Sequence, residues 1–295
     1  MKQDKSFKWT PSSLESLNLS SLKVAIIGGT GGLGRAIGVL LARLGAEVIV
    51  VGQTFRDEGV KNLTFIRADL SSMEVSKEVA QRLATEALDI LLFTAGIFAS
   101  SERQVTAEDL ERDMAVSYLN RLVMIKIIVP KLKKAKNVLG FTPRVFVMGY
   151  PGSGQLGTID DLNQENNYGL MKTHMSTVAG NEALVLLGAD YYPGVNFYGL
   201  NPGIVKTNIR NNLLGENSWK SYILEGLIGL ITKTPEQYAA RIVPLLVAPE
   251  IEERTGTMYN DKGDAIFASD GMTNGYAASY IQASEDLLNS KGISN

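Results

Sequence analysis

A short apolar run, Lys23 to Ile27 (KVAII), leads directly into Gly28-Gly29-Thr30-Gly31-Gly32-Leu33-Gly34 and then into a helical pattern from Arg35 to Leu44. Few stretches leave a chain so little choice. Consecutive β-branched apolar residues read as a strand buried on both faces. Glycines beyond it permit a tight turn and close approach of backbone to a pyrophosphate, and the N-terminus of the helix that follows favours an anion. Strand, glycine turn and helix together predict the entrance of a dinucleotide-binding βαβ unit. The spacing fits both Gly29-x-Gly31-x-x-Gly34 and Gly28-x-x-x-Gly32-x-Gly34, and the stretch alone leaves both registers open.

The same alternation continues. Glu47 to Val51, Leu63 to Arg67, Leu88 to Phe93, Arg144 to Met148 and Val195 to Leu200 read as further buried strands, with Gly256 to Tyr259 a short last one. Helical patterns fall between them, at Ser71 to Ala87, Thr106 to Lys134, Tyr168 to about Leu187 and Pro235 to Val247. Strands alternating with helices predict an α/β fold: a single Rossmann-type, doubly wound parallel sheet of about seven strands with helices on both faces. Residues 1–20 are polar, rich in Ser and Lys, and read as a flexible tail ahead of one NAD(P)-binding domain over 21–295.

The composition excludes whole classes of chemistry. The 295 residues include no cysteine, which removes disulfides, thiol nucleophiles and cysteine-ligated metals. One histidine, His174, makes a multi-histidine metal site impossible, so no metal is expected; on its helix His174 reads as a structural or surface residue. A net charge of -2 argues against general nucleic-acid binding. No run of 18 or more apolar residues reads as an integral membrane span, and no signal peptide is visible, so a cytoplasmic protein is expected.

The second strand bears on the choice of cofactor. An NAD site places a carboxylate near the end of that strand, on the ribose hydroxyls. Here it ends in Gly52-Gln53-Thr54-Phe55-Arg56, with no acid until Asp57. An arginine attracts the 2′-phosphate of NADP(H), and Arg35 and Arg56 are candidates, so NADP(H) is favoured over NAD(H). The alternative is that both are solvated surface charges.

Tyr168 and Lys172 stand four apart at the start of a helical pattern. On a helix that spacing puts a phenol and an ammonium one turn apart on one face. A neighbouring cation favours the phenolate, which tunes tyrosine toward proton exchange near neutral pH, as carbonyl reduction needs.

In this order and spacing, the chain from about Leu22 to Ala268 resembles the short-chain dehydrogenase/reductase family, and its long loop before Tyr168 with Asp161-Leu162-Asn163 resembles the retinol-dehydrogenase-like subset. The resemblance implies cofactor contacts from Gly28, Thr30, Gly32, Leu33 and Gly34, from Gln53 and Arg56, and from Asp69-Leu70. It also implies contacts from Ala95-Gly96, and a nicotinamide clamp in Pro202-Gly203-x-Val205-x-Thr207. It implies that Tyr168 protonates the carbonyl oxygen while Lys172 holds the nicotinamide ribose and lowers the tyrosine pKa.

Two family positions are altered. The serine that follows strand five is replaced by Met148-Gly149-Tyr150, so either Tyr150 or Ser153 supplies the second hydroxyl or no residue does and the enzyme is slow. The helix-four asparagine is replaced by Ser117. A donor lost from a developing oxyanion costs on the order of 10²–10³ in rate. The leading expectation is therefore an NADP(H)-dependent oxidoreductase acting on an apolar small molecule; the alternatives are a non-redox cyclase or isomerase on the same fold, or an NADP(H)-binding sensor. Trp219, Tyr222, Leu224 and Leu227 fall where the family's substrate loop lies. Apolar helices around Met114 to Val129 and Met175 to Leu187 predict a homodimer or homotetramer.

Overall fold

The computed structural model describes residues 1–203 and 233–293. Among the described residues, eight strands form one sheet in the order β3-β2-β1-β4-β5-β6-β7-β8. They are β1 Lys23–Ile27, β2 Glu47–Gly52, β3 Leu63–Arg67, β4 Ile90–Phe93, β5 Arg144–Met148, β6 Asn196–Leu200, β7 Met258–Tyr259 and β8 Ala265–Ile266. All neighbours are parallel except β7 and β8, which are antiparallel. The expected seven strands are thus joined by an eighth, because the turn Asn260–Asp264 folds the chain back after β7.

Alternate residues of each strand serve two separate cores. Val24, Ile26, Val48, Val50, Ile90 and Leu92 face α1 (Gly32–Arg43) and the helix Pro235–Leu246, here α6. Ala25, Ile27, Ile49, Val51, Leu91 and Phe93 face the other side. There lie α2 (Met73–Leu83), α3 (Arg112–Met114), α4 (Asn120–Ile128) and α5 (Leu170–Tyr191). A single π-turn, Ala115–Leu119, joins α3 to α4. Burial on both faces is why these strands read as continuous apolar runs rather than as alternation. Each fully buried large aliphatic side chain contributes about 1.5–3 kcal/mol.

Two expectations are corrected at the chain ends. Residues 1–20 do not hang free: the Phe267 amide donates to the Lys2 carbonyl at 2.9 Å and the Asp4 amide to the Ala265 carbonyl at 2.8 Å, extending the sheet past β8. Asp4 pairs with Arg254 at 2.9 Å, Phe7 packs edge-on against Tyr259, and the Trp9 indole donates to the Gly263 carbonyl at 2.7 Å. The physical reason is that β8 would otherwise present an open edge.

At the other end a helix absent from the sequence reading, α7 (Asn274–Ser290), lies along α5 and buries Ala277, Tyr280, Ile281 and Leu288 against it. The apolar faces expected to mark an oligomer interface are covered within the chain, α5 by α7 and α4 by α2: Val123, Met124 and Ile128 on α4 and Ala179, Ala183 and Val185 on α5 are all buried. No described helix is long and apolar enough to cross a membrane.

Candidate active site

The turn between β1 and α1 admits only one of the two glycine registers. Gly28 has φ +94°, and a Cβ there would lie 2.3 Å from the Ala95 nitrogen beyond β4. Gly32 has φ +50°. A Cβ on Gly34 would lie 2.2 Å from Thr94 Oγ1. Gly31, by contrast, is extended at φ −153° with open space where a side chain would go. Glycine is therefore demanded at 28, 32 and 34; Gly29 is crowded too, with a Cβ there 2.7 Å from Val50 Cγ1, so it is the open space at Gly31 that rules out the rival register.

Gly31 caps α1 with no side-chain hydrogen bond, whereas Ser72, Thr234 and Thr273 cap α2, α6 and α7 with their hydroxyls. The first amides of α1 are left for an external acceptor. Thr30 and Leu33 flank this cradle, with Thr30 packed on Gly52 at the end of β2. The cradle lies where strand order reverses between β1 and β4, and it fits a dinucleotide's pyrophosphate.

Near the end of β2 the two arginines part company. Arg35 donates to both oxygens of Asp57, at 2.8 and 2.5 Å, so it is already committed to an acid. Gln53 and Arg56 are exposed. Asp69 accepts from the Ser71 amide at 3.0 Å and from its hydroxyl at 2.8 Å, and the backbone bond chiefly holds its carboxyl below the usual range. Leu70 is buried behind it.

Tyr168 and Lys172 do not form the expected pair on one helical face. Tyr168 precedes α5, whose N-cap is Gly169. Its hydroxyl donates to the Ser100 carbonyl at 2.5 Å, while Lys172 Nζ donates to the Asn167 carbonyl at 3.1 Å. The phenol pKa is pushed up, not down: burial is the main cause, and the negative charges of Glu111 and Asp113 add to it.

The start of α5 meets the segment beyond β4, through Ser100, and not the end of β5. Beside Gly149, at the end of β5, stands Asn181, whose Nδ2 donates to the Ser117 carbonyl at 2.8 Å. Asn181 is roughly 16 Å along the axis from Leu170, at 1.5 Å per residue. Tyr150 is exposed and Ser153 has a buried Oγ with no partner among the described residues. The loop around Ser153 is fastened to Glu182, which accepts the Gly152 amide at 3.0 Å and lies about three turns beyond the start of α5. The structure thus separates Tyr150 and Ser153 from Tyr168.

What fills the ends of β4 and β5 instead is Arg121. Its guanidinium donates to the Met148 carbonyl at 2.5 Å, to Asn181 Oδ1 at 2.9 Å and to the Ala95 carbonyl. Burial pushes its pKa down to about 9. Above it, Ser117 donates to Asp113 Oδ1 at 2.5 Å and accepts the Ile97 amide at 3.0 Å, and Asp113 Oδ2 takes His174 Nδ1 at 2.8 Å. Gly96 faces Ser117 across 3.5 Å from where its Cβ would be. Asp113, one wall of a cavity of about 240 Å³ lined also by Ile97 to Ser100, Gln104 and Arg112, has no exposure at all. Glu111 is buried next to it, which pushes its carboxyl up to about 7.

Sequence reasoning missed Asp113, Arg121 and Asn181; His174, read as a structural or surface residue, is bonded to Asp113. The four-residue step from Asp113 to Ser117 was the one local signal. Pro202 and Gly203 follow β6, with Gly203 at φ +66° and its amide on Asn201 Oδ1 at 3.0 Å. Val205, Thr207 and the four candidate substrate-loop residues lie outside the described residues.

Comparison with known proteins agrees with this architecture. The family model described as short chain dehydrogenase matches residues 23–138. An uncharacterized oxidoreductase of Saccharomyces cerevisiae is 45% identical over 298 residues, covering 100% of this chain and 96% of that protein. Human retinol dehydrogenase 14 is 27% identical over 90% of this chain and 85% of its own. Among solved structures, the ligand-free aldohexose dehydrogenase of Thermoplasma acidophilum superposes with a TM-score of 0.62 at 16% identity, covering 84% of this chain and 94% of that one.

Proposed function

The chain belongs to the short-chain dehydrogenase/reductase family and is an NAD(P)-dependent enzyme; from that premise we propose an NADP(H)-dependent oxidoreductase that interconverts a carbonyl and an alcohol on an apolar small molecule, with Tyr168 as its acid. The observation that carries this is the β1–α1 turn, where glycine is compulsory at 28, 32 and 34 and the amides of α1 are left uncapped. The bound nicotinamide would supply or take the hydride.

The protein's own residues have three tasks. The turn from Gly28 to Gly34 seats the pyrophosphate, with Thr30 and Leu33 at its rim. Arg56, exposed beyond Gly52-Gln53 with its neighbour Asp57 already neutralised by Arg35, meets the 2′-phosphate. Asp69-Leu70, Ala95-Gly96 and Pro202-Gly203 complete the described cofactor walls.

Tyr168 handles the proton. The phenol is protonated at neutral pH, as a donor must be, while burial and the nearby acids raise its pKa and make it a weaker acid until the cofactor is bound. Lys172 holds the ribose side from the first turn of α5, and Ser117 acts at the floor through Asp113 rather than on the carbonyl. The cytoplasmic setting belongs to the same proposal.

The test mixes purified protein with NADPH and a panel of aldehydes and ketones, following the absorbance of the reduced nicotinamide. Turnover that falls at least about 10²-fold in Tyr168→Phe supports the acid role. NADPH binding with no turnover of any carbonyl would move the assignment to the non-redox or sensor readings. Those readings draw on Arg121 and Asn181 filling the strand ends.

A further inference from the structure

Four consecutive residues after β4 are each fastened to a different side chain. The Ile97 amide donates to Ser117 Oγ at 3.0 Å, and Phe98 stacks on the His174 ring with centroids 4.0 Å apart. The Ala99 amide donates to Asp113 Oδ2 at 3.1 Å, and the Ser100 carbonyl accepts the Tyr168 hydroxyl at 2.5 Å. Three of the four fasteners converge on one carboxylate, because Asp113 also accepts from Ser117 on Oδ1 and from His174 Nδ1 on Oδ2.

This is more than the packing of a loop requires. Asp113 is fully buried, and a buried carboxylate persists only where donors surround it. It has three, from the π-turn, from α5 and from the segment itself. The charged groups facing the cluster are Arg121 on α4, Glu111 one residue before α3, and Arg103 on the loop beyond Ser100. With Nδ1 committed to Asp113, the imidazole ring is fixed in one plane, the plane on which Phe98 lies.

We propose that Asp113 and His174 are positioning residues for Tyr168: they hold the 97–100 segment in place, and its Ser100 carbonyl in turn sets where the phenol sits. The segment is a strap with the acid at its free end. In the reaction the hydroxyl turns from the Ser100 carbonyl to the substrate oxygen while the ring stays where the strap has put it. This role rests on the reading of Tyr168 as the acid.

The amides of Ile97 and Ala99 report on the strap directly, since both donate to its fasteners. Amide hydrogen exchange by NMR is measured on the full chain for wild type, His174→Phe, His174→Asn and Tyr168→Phe. His174→Phe keeps the stack and removes the Nδ1 donor; His174→Asn keeps a donor and removes the stack. Exchange at both amides is expected to rise about tenfold or more in His174→Phe, and also in Tyr168→Phe, which touches neither amide.

On a carbonyl that the wild type reduces, His174→Phe is expected to lower kcat about tenfold with the KM for NADPH within about twofold, as loss of orientation requires. Asp113→Asn should do the same more severely; where it fails to fold, the His174 variants carry the test. Unchanged exchange at Ile97 and Ala99 in either His174→Phe or Tyr168→Phe overturns the strap. Raised exchange together with full carbonyl turnover in Tyr168→Phe leaves the strap standing and overturns the acid role that it was proposed to serve.

Discussion

Asp57 accepts two hydrogen bonds from Arg35, at 2.8 and 2.5 Å, and is itself only 8% exposed. The pair is bidentate, the strongest arrangement available to these two groups. It removes Arg35 from the list of phosphate ligands and at the same time cancels Asp57, the first acid beyond β2, leaving Arg56 as the exposed cation nearest the strand's end. Arg56→Ala is therefore expected to weaken NADPH binding about tenfold, or about 1.4 kcal/mol, and to leave NADH unchanged. Asp57→Asn should release Arg35 and favour NADPH further. Calorimetric titration of both cofactors decides, and a tenfold preference of the wild type for NADH would sink the assignment.

Gly28 and Gly31 make an internal control. Gly28→Ala forces a Cβ to within 2.3 Å of the Ala95 nitrogen at φ +94°, and should cost about 1–3 kcal/mol in strain alone while abolishing cofactor binding. Gly31→Ala meets nothing within 4 Å at an extended φ and should leave stability within about 0.5 kcal/mol. Urea unfolding of the two variants checks the difference. Equal losses would mean that the register read from the backbone is wrong.

Glu111 gives a pH dependence with a definite sign. Its folded pKa of about 7 lies above the ordinary 4.5, so the folded state holds a proton that the unfolded state has lost. The stability it contributes is complete below pH 4.5 and is lost as pH rises through 7, a total of about 3 kcal/mol. Glu111→Gln keeps an oxygen for the Met114 amide and carries no charge, so it should flatten this slope and gain stability at pH 8. Urea midpoints between pH 5 and 8 for the two proteins measure it; parallel curves would show that Glu111 does not titrate there.

Removing residues 1–10 should lower stability by about 2–4 kcal/mol, since Phe7 and Trp9 bury apolar surface on the last strands and residues 2–4 pair with them. It should also promote association through the uncovered edge of β8. Thermal unfolding and light scattering of the truncated chain test both. An unchanged melting temperature would return these residues to the status of a loose tail.

The sequence determined what local patterns can determine. β1 and β5 lie where their apolar runs end, at Lys23–Ile27 and Arg144–Met148, because a strand buried on both faces admits no polar interruption, and the edge strand β3 was legible at Leu63–Arg67 from its alternation of apolar and polar residues. The glycine turn was legible as a cofactor cradle for the same reason. Its steric demands are local, although the choice of Gly28, Gly32 and Gly34 over the rival register needed Ala95 and Thr94 to be in place.

Tertiary structure decided everything that joins distant residues. Asp113 meets His174 across 61 positions, Arg121 meets Asn181 across 60, and Asp4 meets Arg254 across 250. No periodicity encodes such partners. The spacing of Tyr168 and Lys172 was compatible with one helical face, but α5 begins after Tyr168 and turns the two groups to different carbonyls. Likewise the apolar faces of α4 and α5 were real, and only the docking of α2 on α4 and of α7 on α5 showed that the chain covers them itself. A side chain's type is written in the sequence; its partner is fixed by which elements the sheet brings together.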